Sequence, residues 1–118
     1  MRPASSALAP WQVWAVDLGT PTGSEQGGRR PVVVVGSEDH CRFPIEMALV
    51  IPLTTRDRGL PHHVAISSAD SGLNRQSWAR TDDIRAVSTQ RFLRQGPLGR
   101  LAQHEQEQVH HWVHRMLA

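Results

Sequence analysis

The chain has 118 residues and a formal net charge of +2, enough for one domain with one modest core and not for two. All thirteen basic residues are arginine, which excludes a lysine nucleophile, a Schiff base and a lysine-dependent phosphate loop. A single cysteine, Cys41, excludes an intrachain disulfide and suits a reducing compartment.

With four tryptophans, two phenylalanines and no tyrosine, the core must rest on Val, Leu, Ile and Ala. Residues 1–10 are rich in Ala, Ser and Pro and are expected to be a disordered tail, leaving 11–118 as the single domain. They lack an apolar stretch long enough for a signal peptide. The longest apolar run, residues 47–53, is too short to span a bilayer, so a soluble cytoplasmic protein is expected, with no membrane partner.

Residues 11–18 (WQVWAVDL) read as a strand with Trp11, Val13 and Ala15 on one face and Trp14, Val16 and Leu18 on the other. A polar loop follows from Gly19 to Arg30, with four glycines, Glu25 as its one carboxylate, and adjacent Arg29 and Arg30. Such a loop is expensive in chain entropy and suits either a flexible connection or a flap over a site. Residues 31–36 (PVVVVG) predict a central strand covered on both faces. Residues 37–44 read as a polar turn, and 45–53 as a third strand with Pro52 marking an edge or a bulge. Residues 62–68 read as a fourth strand, with His62 and His63 at the surface. Residues 77–80 and 83–88 are two short strands or one bent one. Trp78 is expected in the core, and Trp11 and Trp14 in the core or a dimer interface.

Beyond Gly96, Pro97 and Gly99 the period changes. Leu101, Val109, Trp112, Val113, Met116 and Leu117 recur at helical spacing and predict a helix over about 99–117. The fold expected is mainly β with a C-terminal helix, a small SH3-like barrel. Charge is uneven: residues 75–100 hold six arginines against Asp82 and Asp83, a basic field suited to polyanions or acidic peptides.

The segments GSEQGGRRPVVVV (23–35), VIPLTTR (50–56) and SWARTDDIRAV (77–87) stand in that order along the chain. In blocks, order and spacing they resemble the MazF/PemK-type toxins of bacterial toxin–antitoxin modules. The resemblance implies a homodimeric SH3-like barrel that cuts single-stranded RNA as a sequence-selective endoribonuclease, without a metal or other cofactor. The 2′-hydroxyl attacks the adjacent phosphate, leaving a 2′,3′-cyclic phosphate and a 5′-hydroxyl. An antitoxin with an acidic C-terminal segment is the implied partner. Carried over residue by residue, Arg30 and Thr54 are the first catalytic candidates, Glu25 the next, and Arg80 with Asp82 an alternative acid–base pair. Asp83 stands where the family usually has glutamine.

In-line attack by a hydroxyl needs a proton acceptor, a proton donor and cations on the developing phosphorane charge. Arginine stays protonated, so Arg30 is read as an electrostatic stabiliser rather than an acid, with a salt bridge to Glu25 as its structural alternative. Thr54 can donate to a phosphate oxygen or orient the 2′-hydroxyl. Ser24, Gln26, Arg29, Thr55, Arg56, Arg58, Ser77 and Arg85 are the RNA-binding candidates, and Trp78 could stack a base. No metal set is evident: His110 and His114 with Glu107 nearby lack the glutamate of HExxH, since His111 occupies its place. Two other readings remain: a protein-binding toxin of the same fold, like the gyrase-poisoning CcdB type, and a non-catalytic binder of RNA or antitoxin. The glycine loop is expected to be mobile, moving when RNA or antitoxin binds, while Arg30 stays fixed.

Overall fold

β-Branched residues in an unbroken run cannot hide on one side of a sheet, and the run that begins at Pro31 forms its middle. In the computed structural model, which describes residues 8–118, the strands are β1 (Gln12–Asp17), β2 (Arg29–Val34), β3 (Met47–Thr54), β4 (His63–Ile66), β5 (Ser77–Arg80), β6 (Arg85–Ser88) and β7 (Gly99–Arg100). Among the described residues the helices are α1 (Glu38–Arg42) and α2 (Gln103–Met116), with short 3₁₀ turns at Ala69–Ser71 and Thr89–Arg91.

The pairing is antiparallel throughout, in the order β4-β5-β3-β2-β1-β7, with β6 also on β3. The result is a curled sheet, a half-barrel with a C-terminal helix. β3 changes partner along one edge: Met47 to Val50 pair with β6, and Leu53 and Thr54 with β5. Pro52 falls between these two ladders, where a missing N–H leaves neither of them broken.

The period-two alternation sorts the sheet into two cores. Trp14, Val16, Val32, Val34, Val50, Val87 and Phe92 pack on one face, together with Leu8 and the α1 residue Cys41. Val13, Val33, Ile51, Leu53, Ala79 and Leu101 pack on the other, under Val109 of α2. Burying each such valine is worth about 1.5–3 kcal/mol, so a one-residue slip of β2 is strongly disfavoured. Leu8 is already 92% buried (8% exposed), so the chain joins the core ahead of the strand predicted from Trp11; residues 1–7 of the expected tail lie outside the described residues. Trp11 itself sits at φ +71°, just before β1.

The turn expected over 37–44 contains α1, five residues capped by the Ser37 hydroxyl, which accepts from the His40 amide. α2 begins at Gln103, not Gly99, because Gly99 and Arg100 pair with β1 instead. Its first turn is held by Glu105, which is fully buried. The Glu105 carboxylate accepts from the Ala102 amide, the Ser67 and Ser68 amides and the Ser68 hydroxyl, which docks α2 on the end of β4. Burial alone would raise its pKa. The Ser68 hydroxyl and the three amides outweigh that and hold it below the ordinary carboxylate value.

Candidate functional site

The face that carries Val32, Val34 and Val50 runs out of apolar residues at its end, and basic ones take over. The register Val32↔Pro52 puts Arg30 of β2 opposite Thr54 of β3 on that face. Thr54 in turn pairs with Trp78 of β5, and Arg80 lies two residues further along β5 on the same side. Arg85 opens β6 opposite Val50. Four strands thus bring Arg30, Thr54, Trp78, Arg80 and Arg85 to one end of the sheet.

Arg30 is half-buried and held by the backbone. Its Nε donates to the Gly27 carbonyl at 2.8 Å and its Nη1 to the Leu53 carbonyl at 3.4 Å. No ion pair joins it to Glu25 among the described residues. Its pKa is held below the ordinary arginine value by burial first, then by the charges of Arg80 and Arg85. Arg80 is only 7% exposed, and its Nε is buried without a hydrogen-bond partner. Asp83 is the anion within the group. It accepts from Arg85 at 2.6 and 3.1 Å, which leaves Arg30 and Arg80 without a carboxylate partner among the described residues.

The glycine loop is laid across this cluster. Arg80 Nη1 donates to the Ser24 carbonyl at 3.1 Å, Arg85 Nη2 to the Gln26 carbonyl at 2.9 Å, and the Gln26 amide to Asp83 at 3.4 Å. At the loop's base the Gly28 amide donates to the Gly19 carbonyl and the Leu18 amide to the Gly28 carbonyl. Gly27 is packed so closely that a Cβ there would meet Pro21 Cδ at 2.5 Å and the Gly19 carbonyl oxygen at 2.7 Å. The loop is closed on the site through its backbone.

The remaining candidates divide. Thr54 is 93% buried (7% exposed), and its Oγ1 accepts from the Arg56 amide at 3.1 Å, leaving its proton to donate. Glu25 is exposed and accepts from the Thr22 amide within its own turn. Asp82 lies 3.3 Å from His62 Nε2. Thr55, Arg56 and Arg58 are exposed beyond β3. Arg29 alternates away from Arg30 and faces Asp17 at 3.9 Å. Ser77 is buried, its hydroxyl donating to the Arg75 carbonyl, on the face opposite Trp78. Trp78, expected in the core, is only partly buried and stands beside Thr54, because Ser77 and Ala79 are the β5 residues that face inward.

His63, expected at the surface, is 93% buried (7% exposed), facing Arg80 in the β4–β5 ladder. Sequence gave one signal for it, its place at the start of a predicted strand. Its pKa is pushed down by burial first and by His62, Arg80 and Arg58, against a smaller upward pull from Asp82. Taken together, the site offers fixed cations, a buried hydroxyl and a half-exposed indole, a set that fits a phosphodiester with an unstacked base.

A family model for PemK-like, MazF-like toxins of type II toxin–antitoxin systems matches residues 9–117. The chain is 32% identical over 103 residues to Endoribonuclease MazF9 of Mycobacterium tuberculosis, covering 83% of this chain and 86% of that protein. It is 36% identical over 81 residues to Endoribonuclease EndoA of Bacillus subtilis, covering 68% and 70%. Among solved structures it resembles MazF from Deinococcus radiodurans, with a TM-score of 0.78, 20% identity and coverage of 93% and 96%. A mycobacterial endoribonuclease in complex with its cognate antitoxin gives a TM-score of 0.75 at 21% identity, covering 93% and 94%. At such identities these two structures speak to the fold alone.

Proposed function

This chain belongs to the PemK-like, MazF-like toxins of type II toxin–antitoxin systems, and from that premise we propose that it is an endoribonuclease toxin that cuts single-stranded RNA without a metal and is silenced by a cognate antitoxin. Its curated relatives carry the name endoribonuclease. The observation that supports the reading best is the cluster Arg30, Arg80 and Arg85, which has one internal carboxylate and a buried Arg80 Nε without a partner. Such a cluster is electrostatically incomplete until an anion enters it.

In the proposed reaction a ribose 2′-oxygen forms a bond to the adjacent phosphorus, and the bond from phosphorus to the 5′-oxygen breaks. The products are a 2′,3′-cyclic phosphate and a 5′-hydroxyl. Arg30, held through Nε and Nη1, turns its remaining donors to the non-bridging oxygens, where charge grows in the transition state. Thr54 adds a neutral donor. The 2′-hydroxyl proton goes to a carboxylate at the rim, Glu25 or Asp82, and the departing 5′-oxygen, stabilised by Arg80, takes up a proton from water. Trp78 offers a face for the neighbouring base, and Arg56 and Arg58 lie along the path of the strand.

An acidic antitoxin segment fits the same arginines and would compete with RNA. A homodimer is the proposed assembly, and the cytoplasm, where both RNA and a reduced Cys41 belong, is the proposed compartment. No helix among the described residues is long and apolar enough to cross a membrane.

The test is incubation of the purified protein with several long single-stranded RNAs in EDTA, followed by sequencing of the new 5′ ends. Cleavage at a recurrent motif with 5′-hydroxyl ends is expected. RNA left intact across all substrates, or 5′-phosphate ends, would overturn the reading.

A further inference from the structure

A second constellation lies behind Arg80. His62 ends the turn before β4, and its Nε2 is 3.3 Å from Asp82 Oδ1. His63 opens β4, and the two imidazoles meet edge to face with centroids 4.8 Å apart. One ligand atom from each of His62, His63 and Asp82 lies within 4.8 Å of the others. His63 is 93% buried (7% exposed), and its Nδ1 is shut away without a hydrogen-bond partner. A buried imidazole nitrogen left unpaired is costly, so a group that occupies it is favoured.

The backbone around the three residues is fixed. The Thr81 hydroxyl, fully buried, donates to the His62 carbonyl at 2.6 Å. The Asp83 amide closes the β5–β6 turn on the Arg80 carbonyl at 3.0 Å, and His63 pairs with Arg80 in the sheet. Thr81 therefore ties the segment carrying both histidines to the neighbour of Asp82.

The geometry points to a binding site for a first-row divalent metal ion of the zinc class, with His62, His63 and Asp82 as its protein ligands. Two ligands of a tetrahedral zinc ion with bonds of about 2.0–2.1 Å stand roughly 3.3 Å apart, which is the His62–Asp82 spacing. His63 supplies the third ligand atom, which lies within 4.8 Å of the other two and closes on them when an ion binds. Two imidazoles and one carboxylate select zinc-class ions over calcium and magnesium, which require oxygen cages. The nearby charges of Arg58 and Arg80 oppose any cation there, so the three ligands must hold the ion by coordination against that repulsion. Three protein ligands leave a fourth position open to water or a further ligand. The site goes beyond the RNA cleavage proposed above; with an ion bound, Asp82 is a ligand and Glu25 is left as the proton acceptor of that reaction.

The experiment titrates EDTA-stripped, dialysed protein with Co²⁺, following its visible absorption, then displaces it with Zn²⁺. One equivalent per chain is expected, with affinity at least about tenfold weaker in His62→Ala and in Asp82→Asn. His63→Ala should lose the site too; if that buried change unfolds the protein, the other two decide. The double variant His110→Ala/His114→Ala controls for the histidines of α2 and should bind like the parent. Absence of any absorption change, affinity untouched by His62→Ala and Asp82→Asn, or a signal lost only in the α2 variant would each overturn the assignment.

Discussion

Arg80, on β5, donates from Nη1 to the carbonyl oxygen of Ser24 across 3.1 Å, joining residues 56 positions apart in the chain. The same guanidinium that faces the candidate phosphate site also holds the glycine loop over it. In the reaction proposed above, incoming phosphate competes with the loop backbone for this cation, which would couple binding to loop release.

Removing that cation should free the loop. In Arg80→Met, amide hydrogen exchange over residues 22–28 should accelerate by about ten- to a hundredfold, the equivalent of one charged hydrogen bond. Exchange at the parent rate would show instead that the tight packing at Gly27 closes the loop unaided.

Arg30→Ala should separate catalysis from folding. The side chain lies at the edge of the core, so the circular dichroism spectrum and melting temperature should change little. Cleavage of a reporter RNA should fall by about two to three orders of magnitude, as when one preorganised donor to a developing oxyanion is deleted. Retention of near-parental activity would move the phosphate charge to Arg80 and Arg85.

Glu105→Gln should destabilise the protein by about 1.5–3 kcal/mol in urea unfolding, since a charged acceptor of four hydrogen bonds becomes a neutral one. The folded-state pKa lies below the unfolded value, so the contribution is present above the unfolded carboxylate pKa. It is lost as pH falls through the folded value. The variant should show a flatter acid limb of stability against pH, and an unchanged limb would assign the acid sensitivity to other carboxylates.

His63 should titrate below the ordinary histidine range when followed by NMR. Burial disfavours its charged form first, and His62, Arg80 and Arg58 add to that. As pH falls through the ordinary value, the unfolded chain takes up a proton that the folded chain refuses, so stability declines toward acid. A midpoint at or above about 6.5 would show that the pull of Asp82 wins instead.

Patterns with short periods carried much of this fold in the sequence. The valine run dictated a strand covered twice, the alternation in residues 12–17 assigned each side chain its face, and the late 3.6-residue period placed a terminal helix. α1 was missed because five residues are too few to show a period, and β7 because a two-residue strand exists only through its partner. The three similar blocks named Arg30, Thr54 and Arg80, since local sequence carries that information.

What no local pattern could carry is which side chains meet after the sheet curls. The gathering of Arg30, Arg80 and Arg85, the clamp of Arg80 on Ser24 and the burial of His63 beside His62 and Asp82 come from strands far apart in the chain. Composition and periodicity determined which faces were apolar, because burial depends on each residue's own side chain. The tertiary structure decided where charge accumulates, because electrostatic energy depends on distances between residues that the chain order leaves open.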